Sequence, residues 1–346
     1  MAKITIQNMA KELGLSRNTV SLALKKSDLV SEHTKEMVFR YASKIGYIDN
    51  LSNEEVVTNS TESGYHIMIL RKPEGAVYWD KVINGISEEA SKNHCQTQVA
   101  VISDEEEKNG YFPLGLDDKI DAVFCVKLLN WEYLKKIKDS GYPIFILDGY
   151  QDSQKEALGD IVRSEGVKSV SFLTRHLIDQ GMTKIGFLNE HSSSYESMHD
   201  RYIGYLDAMK EAGIALDNNI IEPDMRDTDF YFQSTFDALV DGFGTIPEAM
   251  VCGNDQIAQY LTLALRKKGL QVPEDVAVTG FDDDESDRLD PFFTTVHVNA
   301  RWLGRRMVQV FLWRMQNPDA PYEKIVVEGT VKIRRSSKKY NSTTYE

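Results

Sequence analysis

Along residues 1–48, apolar positions recur at helical spacing in three short blocks. Ile6, Met9, Ala10 and Leu13 make one stripe, and Val20, Ala23 and Leu24 a second. Met37, Val38, Tyr41, Ala42 and Ile45 make a third. Before each block stands a hydroxyl residue able to accept from the open N–H groups of a first turn: Thr5, Ser16 and Ser31. Gly14 supplies the left-handed stop after the first helix. Beyond residue 63 the pattern changes. Short apolar runs predict strands at 65–70, 98–102, 121–126, 143–147, 184–188, 249–252, 276–280 and 294–298. Amphipathic stretches between them predict helices at 80–93, 131–140, 166–180, 200–212, 229–239, 255–268 and 301–315. Strand–helix alternation implies parallel sheets with helices on both faces, and so many strands imply two lobes. The predicted fold is an all-α head followed by an α/β two-lobed body with two doubly wound parallel sheets.

The head carries a more specific signal. Ala10, Gly14 and Val20 have the spacing of a helix-turn-helix: a small residue where two helices cross, a glycine at the turn, and a plug between the helices. In such a unit the start of the second helix enters the major groove. That start holds Ser16, Arg17, Asn18, Thr19 and Ser21. Arg17 has the fork to pair with guanine and Asn18 the amide to pair with adenine. Lys3, Lys25, Lys26 and Lys35 are candidates for phosphate contacts that set register, and Thr5 is a further candidate DNA-binding residue. The bland alternative is a three-helix bundle with a polar exposed helix.

Charge supports the division. The whole chain of 346 residues carries a net −13, which argues against nucleic-acid binding over its entire surface. Residues 1–48, however, hold eight basic and four acidic side chains, a net +4, while 63–331 carries −17. A basic head on an acidic body points to two functions in one chain. Residues 49–62 hold four acids and no base, and 332–346 is +4. No run of about 18 apolar residues predicts a membrane span, and the start lacks a secretory core, so a cytoplasmic protein is expected. Cys95, Cys125 and Cys252 lie in apolar runs and read as reduced core thiols. Nucleotide-binding glycine motifs, nucleophile elbows and zinc spacings are absent, and the seven histidines are scattered. No enzyme, cofactor or metal is expected.

The runs Ile4–Ala10, Gly14–Leu24, Val30–Thr34 and Gly46-Tyr47 resemble the LacI/GalR family of bacterial transcription regulators. The body carries the resemblance on, most clearly in Cys252-Gly253-Asn254-Asp255-Gln256-Ile257-Ala258 and in the stretch from Gly269 through Gly280-Phe281-Asp282-Asp283. It covers roughly residues 2–333. It implies a helix-turn-helix domain over 1–48, a linker over 49–62, and an effector-binding and dimerisation body over 63–333. That body is periplasmic-binding-protein-like, with lobes of about 63–160 with 293–318 and 161–292 with 319–333. A flexible tail, 334–346, follows.

The resemblance implies a homodimeric repressor that binds a double-stranded DNA operator and a sugar-like effector held in the body's cleft. A solute-binding protein would lack the head, and a protein partner is the alternative effector. The implied effector residues are Tyr78 and Trp79, an aromatic pair; Asp148; Arg201; Asn254 and Asp255; and Asp282. The residues alone leave other roles open: Tyr78 and Trp79 as core aromatics, Asp255 as a helix cap, Arg201 in a surface ion pair. The chain also departs from the family. Leu22 fills a position that often reads a base, and it could instead contact a thymine methyl. Asp49 and Glu54 replace the proline and arginine of the minor-groove helix, so the linker is expected to be flexible or differently docked, unless Leu51 or Val56 still wedges. Gly149 follows Asp148 where an arginine is usual, Val162-Arg163 stands where Asp-Asn is frequent, and Met225 replaces a pocket aromatic. The acidic run Asp282–Glu285 is expected to be a solvated loop.

Overall fold

A computed structural model describes residues 5–24, 30–45, 64–73, 77–127, 129–150, 156–189, 195–216 and 232–338. Lys25, the acidic linker 49–62, Met225 and the end of the tail lie outside these residues.

The head forms three helices, α1 (Ile6–Leu13), α2 (Arg17–Leu24) and α3 (Glu32–Lys44). Local chemistry sets their ends. The Thr5 hydroxyl accepts from Asn8 N at 3.3 Å. Gly14 adopts φ 65° and returns its N–H to the last carbonyls of α1. Ser16 Oγ accepts from Thr19 N at 3.0 Å, and Ser31 Oγ from Thr34 N at 3.2 Å. Met9, Ala10, Val20, Ala23, Val38 and Ala42 close a small core. Leu22 belongs to that core too, which takes it away from a base-contacting role.

The body's elements follow in the order β1 (His66–Arg71), α4 (Val77–Lys92), β2 (Gln96–Val101), α5 (Asp104–Asn109), β3 (Ala122–Cys125), α6 (Trp131–Asp139) and β4 (Ile144–Leu147). Next come β5 (Gly159–Ser164), α7 (Val167–Ile178), β6 (Ile185–Leu188), α8 (Glu196–Glu211), α9 (Gln233–Asp241), β7 (Ala249–Cys252), α10 (Asp255–Lys267) and β8 (Ala277–Thr279). The last are β9 (Thr295–His297), α11 (Ala300–Gln316), β10 (Lys324–Val327), β11 (Thr330–Lys332) and a short 3-10 helix, Arg335–Ser337. One sheet has the order β10-β5-β4-β3-β1-β2, another β6-β7-β8, and β11 pairs with β9. The pairs β1–β2, β1–β3, β3–β4, β4–β5, β6–β7 and β7–β8 are all parallel. Strands β3, β4, β6 and β7 are buried along their whole length, which is why they read as unbroken apolar runs.

The chain divides into two compact units. The first is Met1–Leu147, Glu156–Val162 and Gly304–Lys324; the second is Asp148–Lys155, Arg163–Leu303 and Ile325–Glu346. The sequence expectation put 293–318 in one lobe, but residues 293–303 group with the second unit, where β9 pairs antiparallel with β11. In the first unit Phe124, Phe145 and Phe311 meet at centroid distances of 5.2 to 5.8 Å, giving its core an aromatic centre. The second unit's core gathers Leu188, Phe236, Met250, Leu261, Leu265 and Val278. The tail expected to fray from residue 334 is instead held at its start: Ser336 and Ser337 are buried, and Ser336 Oγ donates to Val278 O at 2.6 Å. All three cysteines are free and buried, and burial pushes the Cys125 thiol up to about 12.

Candidate functional site

In the head, α2 presents Ser16, Asn18, Thr19 and Ser21 with exposed or partly exposed surface. Ser16 and Thr19 hydroxyls also bond each other at 2.8 Å, which orients both at the helix start. Arg17 is placed differently. It is 8% exposed, packed against other residues of the first unit. Its Nη1 donates to Ile120 O at 2.8 Å and its Nη2 to Asp118 O at 3.1 Å, with the guanidinium 4.4 Å over the Tyr142 ring. Reaching a base edge requires it to leave these contacts. Lys35, on α3, is buried and pairs with Glu32 one turn earlier at 2.7 Å.

In the second unit the first turns of α8 assemble a polar cluster. Arg201, 4% exposed, donates through Nη1 to Gly253 O at 2.5 Å and through Nη2 to Asp282 at 3.4 Å. Its guanidinium lies 3.8 Å over the Phe281 ring. This is an inward pair, not the surface ion pair that the residues alone left open. Asp282 has φ 96°, a conformation non-glycine residues seldom adopt, and backbone strain of this kind gathers at functional sites. Asp148, with φ 74°, accepts from Gly149 N at 2.8 Å, from Ser197 N at 3.0 Å and from Ser197 Oγ. Burial pushes its carboxyl up, while the bonds from Ser197 and Gly149 and the charge of Arg201 pull it back.

Asn254 and Asp255 divide the work expected of them. Asn254 Oδ1 caps α10 by accepting from Ile257 N at 2.8 Å. Asp255 has no exposed surface: Thr295 Oγ1 donates to it at 2.7 Å and Asp284 N at 2.9 Å. A Cβ at Gly280 would stand 2.0 Å from its Oδ1, so this carboxyl fits only beside glycine. Asp255 therefore holds the 282–284 turn from beneath, and burial drives its pKa well above the usual carboxylate range. The following acids are not a solvated loop. Asp283 pairs with Arg334 at 2.6 Å and with His297 at 2.9 Å, and Glu285 accepts from Phe292 N at 2.8 Å. Among the described residues no group of histidines, cysteines and acids is arranged to hold a metal.

Tyr78 and Trp79 stand at the start of α4 in the first unit, edge to face at 4.9 Å, each partly exposed. Sequence reasoning missed a further set in the second unit. Arg163 on β5 is buried and paired with Glu196 at 3.0 Å and with Asp200, both on α8. The spacing of Glu196, Asp200 and Arg201 on one helix was the available signal, but their partner is distant in the chain.

A lacI-family model of bacterial regulatory proteins matches residues 5–50, and a periplasmic binding protein-like domain model matches residues 174–337. The chain carries a LacI-family helix-turn-helix domain and a periplasmic binding protein-like domain. The chain is 26% identical over 349 residues to the HTH-type transcriptional repressor PurR of Vibrio campbellii, covering 97% of this chain and 99% of that one. Its fold is similar to that of the regulator CelR in complex with cellobiose, with a TM-score of 0.67 and 20% identity over 96% of this chain and 100% of that one. It is also similar to the lac repressor dimer bound to operator and an anti-inducer, with a TM-score of 0.64 and 20% identity over 96% of this chain and 99% of that one. The chain is a DNA-binding transcriptional regulator. No described helix is long and apolar enough to cross a membrane.

Proposed function

We propose that this regulator is a homodimeric cytoplasmic repressor whose operator affinity is controlled by a sugar-like effector, and that it has no enzymatic activity. The head reads operator half-sites through Arg17 and Asn18, with Ser16, Thr19 and Ser21 beside them. Thr5, Lys25 and Lys35 contribute backbone contacts. The effector contacts Arg201, Asp282, Asp148 and Asn254 in the second unit and Tyr78 and Trp79 in the first, with Asp255 setting the Asp282 turn. The observation that carries this reading is the pairing of buried Arg201 with partly buried Asp282 on a strained turn at the carboxyl ends of parallel strands, where ligands of such sheets bind. Aromatic faces suit sugar C–H groups, and carboxylates with guanidiniums suit hydroxyls. Effector and operator affinities are then linked: each changes the other by the same factor.

The test is a thermal-shift screen of the full chain against sugars, followed by operator binding with and without each compound that shifts. A saturable shift lost in Arg201→Ala, together with a changed operator affinity, is the expected result. No shift with any sugar removes the sugar reading and leaves a protein partner as effector.

A further inference from the structure

Arg71, Lys72, Arg163 and Arg201, near the carboxyl edges of the parallel sheets, are already matched by acids. In the first unit, Arg71 at the end of β1 pairs with Asp80 at 3.0 Å, and the next residue, Lys72, is buried between Asp104 at 2.5 Å and Glu107. In the second unit, Arg163 is held by Glu196 and Asp200, and Arg201 by Asp282. Gly149 is part of this arrangement, since a Cβ there would stand 2.4 Å from Glu196 Oε2. Any side chain at 149 would force the Glu196 carboxylate to shift.

From this pairing we infer the effector's chemical class: a polyol that is neutral or carries an amine, and neither a sugar phosphate nor a sugar acid, with Arg163, Glu196, Asp200 and Gly149 as the residues that exclude anions. This rests on the effector binding at the Arg201–Asp282 site. Around Arg163 and Arg201 stand Asp148, Glu196, Asp200 and Asp282. Even with Asp148 left aside, three carboxylates stand against two guanidiniums among the described residues. A phosphate would either displace carboxylates from buried guanidiniums, stranding those charges, or be buried beside them. A hydroxyl meets neither obstacle. The Nε–H groups of Arg163 and Arg201 have no hydrogen-bond partner among the described residues, and a hydroxyl oxygen can accept from them without bringing a charge.

The experiment compares matched ligands on the full chain by calorimetry: ribose with ribose 5-phosphate, glucose with glucose 6-phosphate, and glucosamine with glucuronate. A neutral or amino sugar should bind, and its anionic counterpart should bind at least about tenfold more weakly. Glu196→Gln with Asp200→Asn releases Arg163 and should narrow that gap by about tenfold; the wild-type comparison stands whether or not this variant folds. A wild-type chain that prefers the phosphate or the uronate, or a folded double variant with an unchanged gap, overturns the inference while leaving a small-molecule effector in place. Silence from every wild-type pair removes the sugar reading itself, and this inference with it.

Discussion

Arg17 in the head and Arg201 in the second unit are both buried, both donate to backbone carbonyls and both lie over an aromatic ring. They differ in what balances their charge. Arg201 faces the Asp282 carboxylate, whereas Arg17 is met by two neutral carbonyls and the Tyr142 ring, with no carboxylate at ion-pair distance among the described residues. A guanidinium held by neutral groups can trade them for a phosphate or a guanine edge, which offer more charge or a better-matched fork. A buried guanidinium held by a carboxylate cannot leave without stranding that carboxylate. The head's arginine is therefore exchangeable and the body's is fixed, as the DNA-reading and ligand-anchoring roles proposed for them require.

The largest effect is expected where the fixed arginine is removed. Arg201→Ala should destabilise the folded chain by about 3 kcal/mol, because it removes a buried guanidinium that bonds both the Gly253 carbonyl and the partly buried Asp282 carboxylate. Urea unfolding measures this, and a loss under 1 kcal/mol would mean that Asp282 is readily hydrated. Next is the exchangeable arginine. Arg17→Ala should weaken the cognate operator by about 1–3 kcal/mol in titrations while sparing random DNA; equal losses on both would make Arg17 a phosphate contact.

A smaller change should run in the opposite direction. Tyr142→Ala removes the ring beneath Arg17 and should tighten operator binding a few-fold, an effect of about 0.5–1 kcal/mol. Unchanged affinity would show that the Tyr142 contact does not compete with DNA. The smallest effect should appear only as a change of slope with pH. Burial raises the Asp255 pKa in the folded state, so the native chain holds this proton where the unfolded chain has lost it. The resulting stability is complete below the ordinary carboxylate range and is lost as pH rises toward the folded pKa. Asp255→Asn should flatten that fall in unfolding free energy against pH; a parallel curve would mean that Asp255 titrates normally.

The head was almost wholly legible because its information is local. Caps at Thr5, Ser16 and Ser31, the left-handed Gly14 and the apolar stripes lie within a few residues of what they control. The apolar strands were legible for a similar reason: burial on both faces leaves only apolar choices. Strand β5 was not, because Asp160 and Arg163 interrupt its pattern. Their acceptability depends on distant partners, Arg314 at 2.7 Å from Asp160 and Glu196 at 3.0 Å from Arg163.

The candidate site divides along the same line. Arg201 and Asp282 were recognisable by motif and do meet, while Asp255 stood in the same motif and lies beneath the turn. By itself the sequence determined the helix-turn-helix head, the strand–helix alternation of the body and the residue types at the site, since these follow from spacing, capping and burial preference along a continuous stretch. Only the tertiary structure decided which charges cancel. The pairing of Arg163 with Glu196 and Asp200, the burial of Asp255 against Gly280 and Thr295, and the lodging of Arg17 over Tyr142 join residues far apart in the chain. The energy of a buried charge is set by the groups that fold around it.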